Sequence, residues 1–428
     1  MFPGRQHSPM SRKRAASSRT WGRILAAGAA VGLVAGLALA VGTPASALPD
    51  AGPDAGSGAA PVVWTGSLLA TTSVTNNGND LLYWWQADGT SKWHEQIVAR
   101  NNFAQTGITE RFFTPSITWT GSDIVIVADV YSNFEGMGGY SLDTYWKQPG
   151  GTTWTQESSG LGSNSGIDGD ASSAQPFVSP QIAWTGSNVV IADVGAVGTQ
   201  TAGPLPDDVY FWWQDPSGNF HQETVASHSS TASYGHAVLT ATNDAVVIVA
   251  IRNGKDLLSW YQPFGRKGWT ANGIAGGFSD DAFSGPSVAW TGSSVVVAAA
   301  VVGDDPSVKY EWQPSPGTAW QGQFLPAPPD SPGPAWAGST AIAWTGSNVD
   351  ITAVDSHNNA LDFWWLSPGT TTWNPEIVSE PAGITLGRQP SMTTTTDAAF
   401  IVLNQSNGLI RWAQDYGTVP WRPQTISP

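Results

Sequence analysis

Six histidines, 33 acids and 18 basic residues are the groups that could carry catalysis in this chain, and their spacing argues against it. His7, His94, His221, His228, His236 and His357 form no H-E-x-x-H pair, and there is no cysteine to act as nucleophile or thiolate ligand. No Gly-x-Ser-x-Gly turn presents a serine. Carboxylate pairs for glycoside hydrolysis can be drawn from Glu135, Asp143, Asp207, Asp208, Asp304 and Asp305, but acids are too plentiful for one pair to stand out. Asp168-Gly169-Asp170 and Asp280-Asp281 lack the full ligand spacing of a calcium loop and read as solvated acidic loops. No catalytic residue, metal ligand or cofactor is assigned, so the reading leans against an enzyme while leaving one open.

Recognition chemistry is better supplied. Polar, uncharged ligands are held by aromatic faces that stack on C–H groups and by amide or carboxylate acceptors for hydroxyls. The candidate platforms are Tyr131, Phe134, Tyr140, Tyr234 and Trp336, all aromatics outside the repeating pattern described below. Asn133, Glu135, Asp143, Asp208, His236 and Asp355 lie near them as polar partners.

The elements that must position these residues are short strands. The stretch Ala341–Glu380 (AIAWTGSNVDITAVDSHNNALDFWWLSPGTTTWNPEIVSE) reads as four of them: Ala341–Thr345, Val349–Val354, Leu361–Leu366 and Trp373–Val378. Each run is rich in β-branched and aromatic residues and is bounded by turn formers. One such meander leaves both faces wet, so it needs copies of itself to pack against. The chain supplies seven, anchored near Trp64, Trp119, Trp184, Thr240, Trp290, Trp344 and Thr394.

Between the anchors the same columns recur. The third strand carries Trp85, Trp146, Trp213, Tyr261, Trp312 and Trp365, failing at Ala413. Its neighbouring column runs Trp84, Tyr145, Trp212, Trp260, Trp364 and Trp412, with Glu311 the exception. The fourth strand opens with Trp93, Trp154, Phe220, Trp269, Trp320, Trp373 and Trp421. Three residues on comes Gln96, Glu157, Glu223, Asn272, Gln323, Glu376 or Gln424, always a hydrogen-bond acceptor. Four strands per unit of about 50 residues, seven times over, predict an all-β chain: a seven-bladed β-propeller of four-stranded antiparallel blades. Adjacent strand residues point to opposite faces, and a blade sandwiched between two others wants bulk on both. The column tryptophans are therefore packing residues first. Two ways of closing the ring stay open: blades that start in phase and close by packing, or an exchange involving Pro61–Trp64 and Gln424–Ser427.

In such a blade the turns after strands 1 and 3 lie on one face of the disc, and those after strands 2 and 4 on the other. The first kind barely varies, since W-T-G-S recurs in five copies. The second kind carries the insertions Tyr131–Ser141 and Gly195–Asp208 and the long exits Arg100–Pro115, Ser158–Pro180 and Pro326–Thr340. Repeat proteins put insertions on the binding side, so this elaborated face is the expected working face.

Residues 1–47 stand apart. Arg12, Lys13, Arg14, Arg19 and Arg23 precede the apolar run Ile24–Val41, and Ala45-Ser46-Ala47 is a small-residue cleavage site. This is the pattern of a secretory signal peptide, followed by a flexible linker over 48–60, with the propeller over 61–428. Six of the 18 Lys and Arg and none of the acids lie in the signal, so the remaining 12 bases against 33 acids give a net charge of −21. That excludes the basic footprint of a nucleic-acid binder and disfavours anionic membranes. No membrane span is expected after cleavage. The mature chain is expected to be secreted and extracellular.

Two resemblances follow from the strand 3 to strand 4 segment. The turns SPGTTTW (Ser367–Trp373), SPGTAW (Ser315–Trp320) and PGGTTW (Pro149–Trp154) look like degenerate Asp-boxes of sialidase-type propellers, where the box is a structural turn. The fuller pattern of YWWQADGTSKW (Tyr83–Trp93), FWWQDPSGNF (Phe211–Phe220) and YEWQPSPGTAW (Tyr310–Trp320) resembles the Trp-rich seven-bladed β-propeller lectins of bacteria. That resemblance implies sugar binding in pockets between blades, on aromatic platforms with hydrogen-bonding side chains. The expected function is a non-catalytic, lectin-like module whose partners are glycans or other extracellular ligands. A glycoside-active enzyme and a protein-interaction scaffold are the alternatives.

Overall fold

The hairpin turn W-T-G-S shows why this chain folds as it does. In all seven copies a threonine hydroxyl accepts the backbone N–H three residues on: Thr65 from Leu68, Thr120 from Asp123, Thr185 from Asn188, Thr242 from Ala245, Thr291 from Ser294, Thr345 from Asn348 and Thr395 from Ala398, at 2.7–3.2 Å. Where glycine follows the threonine it is left-handed, as at Gly66 (φ 89°) and Gly346 (φ 88°), a conformation a side chain resists. The threonine, not the tryptophan, is the fixed element. In the fourth copy it aligns Ala241 rather than Thr240 with the tryptophans, since Ala241 pairs with Val246 as Trp64 pairs with Leu69.

The structure, a computed structural model, describes residues 61–75, 77–134, 137–165, 179–196, 207–276, 282–303, 306–329, 336–355, 360–367, 369–379, 386, 389–395, 397–405, 408–416 and 420–426. The expected signal peptide and linker lie outside this set. The described residues form seven four-stranded antiparallel sheets, each built from four strands consecutive in the chain. The first is Val62–Trp64, Leu68–Val74, Asp80–Ala87 and His94–Arg100, and the last is Ser391–Thr394, Ala398–Gln405, Gly408–Asp415 and Arg422–Thr425. Among the described residues no strand is exchanged between blades, so the first and last sheets start in phase and meet by packing. Val62, Leu69, Leu82 and Trp84 pack on Val402, Leu409 and Ile426, and the Val62 N–H donates to Ser391 Oγ at 3.1 Å.

Each of the seven interfaces has its own buried cluster, which closes the ring. The two aromatic columns divide by face. Trp212, Trp364 and Trp412 are fully buried against the preceding blade. The residue before them in the strand turns to the next blade, where it meets the tryptophan that opens the fourth strand edge-on: Tyr83 with Trp154 at 5.2 Å, Phe211 with Trp269 at 5.0 Å, Tyr310 with Trp373 at 4.9 Å, Phe363 with Trp421 at 4.9 Å. Such edge-on pairs add to the large area these rings bury.

The acceptor column has a structural use as well. Its side chains receive a donor from the third strand of the next blade: Gln96 from Lys147, Glu223 from Gln262, Glu376 from Gln414. The Asp-box-like turns are held by threonine instead of a carboxylate, with Thr318 Oγ1 donating to the Ser315 carbonyl at 2.8 Å and Thr370 Oγ1 to that of Ser367 at 2.7 Å. The innermost strands line a central channel of about 190 Å³, to which Pro61, Thr114, Ser179, His236, Gly285, Thr340 and Ser391 each contribute from a different blade.

Candidate functional site

Among the described residues, blade 2 has longer strands than the other blades. Its strands Ile108–Trp119, Ile124–Phe134, Met137–Lys147 and Thr155–Ser165 run 12, 11, 11 and 11 residues. The insertion Tyr131–Ser141, placed in a loop by sequence reading, continues the sheet: its ladder runs up to Phe134 opposite Met137. The exit Arg100–Pro115 is likewise ordered. After a single helical turn, Phe103–Thr106, closed by left-handed Gly107, Ile108–Phe113 pair with the same hairpin. Aromatic and β-branched residues alternating with small polar ones satisfy strand geometry as well as a loop, which is why spacing alone misassigned them.

Strand alternation puts Arg111, Phe113, Tyr131 and Tyr140 on the flank that faces blade 3. Tyr131 and Tyr140 are cross-strand partners with ring centroids 4.9 Å apart, and Phe113 lies 6.1 Å from Tyr140. Asn133 Nδ2 donates to the Tyr131 hydroxyl at 2.9 Å, fixing that ring. Arg111 sits directly across from Tyr131 and makes no ion pair with a described residue. All four side chains are half-buried. Burial, then the charges of Asp129 and Tyr131, push the Tyr140 phenol up to about 12, against the pull of Arg111. The phenol therefore remains a hydrogen-bond donor at any physiological pH.

Two acids lie beneath this flank, between blades 2 and 3. Asp129 and Asp193 are fully buried. Asp193 accepts the N–H groups of Ser179 and Val194 at 3.0 and 2.7 Å. Burial foremost, and then the Asp193 charge, hold the Asp129 carboxyl well above the ordinary range, opposed by the Val130 N–H. Neither of its oxygens has a hydrogen-bond partner of good geometry.

The remaining sequence candidates do not join this cluster. Asp143 is on the opposite flank of blade 2, bonded by Gln156 Nε2 at 2.7 Å and Ser141 Oγ at 3.3 Å. Asp208 is buried and engages the His228 backbone N–H and ring, both at 2.6 Å. Tyr234 packs edge-on against Trp260 at 5.7 Å. His236 lines the central channel in a left-handed conformation (φ 52°), open to the lumen but walled by protein, and burial lowers its pKa. Asp355 is fully buried opposite Trp336 in blade 6. The backbones of Trp336 and Phe134 are placed in strands, but their side chains, and all of Glu135, lie outside the described residues. So do the acidic loops at 168–170 and 280–281. Arg111 and Phe113 were missed because they precede the repeat anchor; their i, i+2 spacing before Trp119 was the available signal.

No known protein family and no curated protein matches the sequence. Solved structures do. The BP39L lectin from Burkholderia pseudomallei is similar with a TM-score of 0.59 at 12% identity, covering 86% of this chain and 99% of its own. The α-L-arabinanase of Penicillium chrysogenum, solved with arabinobiose, gives 0.50 at 11% identity over 72% of this chain and 94% of its own. The polysaccharide lyase Uly1 gives 0.51 at 8% identity, with 86% and 90% covered. At such identities the likeness is one of fold.

Proposed function

We propose that the chain is a secreted recognition module that binds glycans on the blade 3-facing flank of blade 2. The observation that carries this reading is the contiguous surface of Phe113, Tyr140 and Tyr131, edged by the Arg111 guanidinium and Asn133 amide, on the blade whose strands are the longest among the described residues. Half-buried rings beside a guanidinium and an amide suit a sugar, which offers a C–H face and a ring of hydroxyls. The names of the similar proteins, a lectin, an arabinanase and a polysaccharide lyase, agree with a carbohydrate ligand without deciding it.

The test is a glycan array with the purified protein, repeated with Tyr140→Ala and competed by free sugar. Binding to a defined set of sugars that falls at least tenfold in Tyr140→Ala supports the reading. A blank array sinks it and turns the flank into a protein-docking surface. A glycoside-active enzyme is the second reading, on one observation: on the other flank of blade 2, Glu110 is pushed up by burial and by the charge of Asp143, so two carboxyl groups lie close enough to interact, and hydrolysis uses two. Release of reducing sugar that vanishes in Glu110→Gln would select it.

A further inference from the structure

The repeat breaks where the ring closes. In blade 7 the third strand reads Arg411, Trp412, Ala413, whereas blade 1 has Tyr83, Trp84, Trp85. Arg411 thus stands at the position of Tyr83, Phe211, Tyr310 and Phe363, which pack edge-on against the next blade. Ala413 stands where six other copies carry an aromatic ring. Removing one ring and replacing another by a guanidinium leaves a pocket of about 520 Å³ between blades 7 and 1, lined by Trp64, Gln86, Phe400, Arg411 and Gln424. That volume lies within the roughly 300–1,000 Å³ of ordinary small-ligand sites. It opens beside the Ala87–Thr90 turn, on the disc face opposite to the blade 2 hairpin tip.

The pocket has an excess of donors. Arg411 Nη1 donates to Gln86 Oε1, and its guanidinium lies 5.8 Å from the Trp93 ring and 5.5 Å from the Phe400 ring. Arg411 Nε and Gln86 Nε2 are both buried with no acceptor. Arg100, Arg252 and Arg422 have carboxylate partners in Asp80, Asp256 and Asp415, while Arg411 has none among the described residues. The two acids on the lining are otherwise engaged: Asp415 pairs with Arg422, and exposed Asp88 caps the N–H of Gly89 in its own turn at 2.9 Å. Burial and the nearby Arg422 charge push the Arg411 guanidinium down to about 10, so it still carries its proton. A half-buried cation beside the Arg422–Asp415 pair, with no carboxylate of its own among the described residues, is costly to leave unmatched.

We propose that this seam pocket binds a small ligand carrying a carboxylate or sulfate, of the acidic monosaccharide kind, with Arg411 as the anion's partner and Trp64 and Phe400 as apolar walls. A planar guanidinium matches both oxyanions. The ligand would touch the first and last blades together, so occupancy also holds the ring closed. This site is separate from the blade 2 flank, and either can fail without the other.

The experiment is thermal unfolding of the purified protein at fixed ionic strength with methyl glucuronide, glucose 6-sulfate or methyl glucoside. Either charged sugar should raise the melting temperature by about 3 °C or more at saturation, and the neutral glucoside should not. A shift with only one charged sugar assigns the oxyanion. Arg411→Gln should abolish the shift. Should that variant not fold, Ala413→Trp restores the ring present in the other blades, fills the pocket and should remove binding while keeping the fold. The proposal is overturned by an equal shift with methyl glucoside, by no shift with either charged sugar, or by a shift that survives Arg411→Gln or Ala413→Trp. Tyr140→Ala should leave it unchanged.

Discussion

Lys147 Nζ donates to Gln96 Oε1 at 2.5 Å across the interface of blades 1 and 2, with its ammonium 4.7 Å from the Tyr83 ring and 4.8 Å from that of Trp85. Gln262 and Gln414 occupy the same position in other blades and reach the same acceptor column. Burial lowers the Lys147 pKa, a sign that the charge is held away from water. Truncating it leaves Gln96 Oε1 without its donor and removes three cation–π contacts, with Tyr83, Trp85 and Trp154. Lys147→Ala is expected to cost about 2–3 kcal/mol, read as a lowered urea midpoint at unchanged slope. Lys147→Gln, which restores the residue of the neighbouring copies, should lose less than about 1 kcal/mol.

The turn threonines give a second, weaker prediction. Thr345 Oγ1 accepts the Asn348 N–H at 2.7 Å and the Ser347 N–H at 3.1 Å. Thr345→Val keeps the shape and loses the acceptor, and should lower stability by about 1 kcal/mol. Thr345→Ser should restore most of it. If Thr345→Val equals the wild type in urea, the hydroxyl has no part in the turn's stability.

Much of this architecture was legible in the residues, because a propeller repeats one packing problem seven times. The W-T-G-S turn and the paired third-strand aromatics report blade number and strand order directly, since each must face a neighbour on both sides. Contacts that break the repeat were not legible. Gln86 and Arg411 are 325 positions apart, and only ring closure brings them together. The candidates on the elaborated face shared a strand end without sharing a flank, so Asp143 and Tyr140 point to opposite neighbours. His236, expected as a polar partner of the aromatic platforms, instead occupies a bulge of the innermost strand, between Gly235 and Val238, that turns it into the channel.

The same kind of bulge makes Gly285 indispensable. Gly285 has φ 40° between Ser284 and Ser287, and a Cβ built there would fall 2.0 Å from Ser339 Cβ and 2.9 Å from the Ser339 backbone nitrogen. Strand Trp336–Trp344 of blade 6 would have to retreat, breaking the Ser287–Thr340 hydroxyl contact at 2.9 Å. Gly285→Ala should therefore cost more than about 3 kcal/mol, through both strain and lost inter-blade packing. Gly66→Ala is the control: it has a similarly positive φ, 89°, but no atom within 4 Å, so only about 1 kcal/mol of backbone strain should appear. Equal losses in the two variants, measured by denaturant unfolding, would show that the close approach to Ser339 carries no weight.

Asp350 sets the pH dependence at the interface of blades 6 and 7. It is 1% exposed beside the Tyr416 hydroxyl, and burial pushes its pKa up to about 7, partly offset by that hydroxyl. Both carboxylate oxygens still lack a hydrogen bond of good geometry. In the unfolded chain the group ionises near 3.8, the ordinary value. The folded state therefore holds the proton more tightly, and Asp350's contribution is fully present below about pH 4. It is lost progressively as pH rises to about 7, after which it stays constant. Some three pKa units correspond to on the order of 4 kcal/mol over that window. Asp350→Asn keeps the shape and cannot ionise, so its advantage over the wild type should grow between pH 4 and 7 and then level off. Parallel stability curves for the two proteins over that range, measured by urea unfolding at several pH values, would show that Asp350 ionises no less readily in the fold than in the unfolded chain.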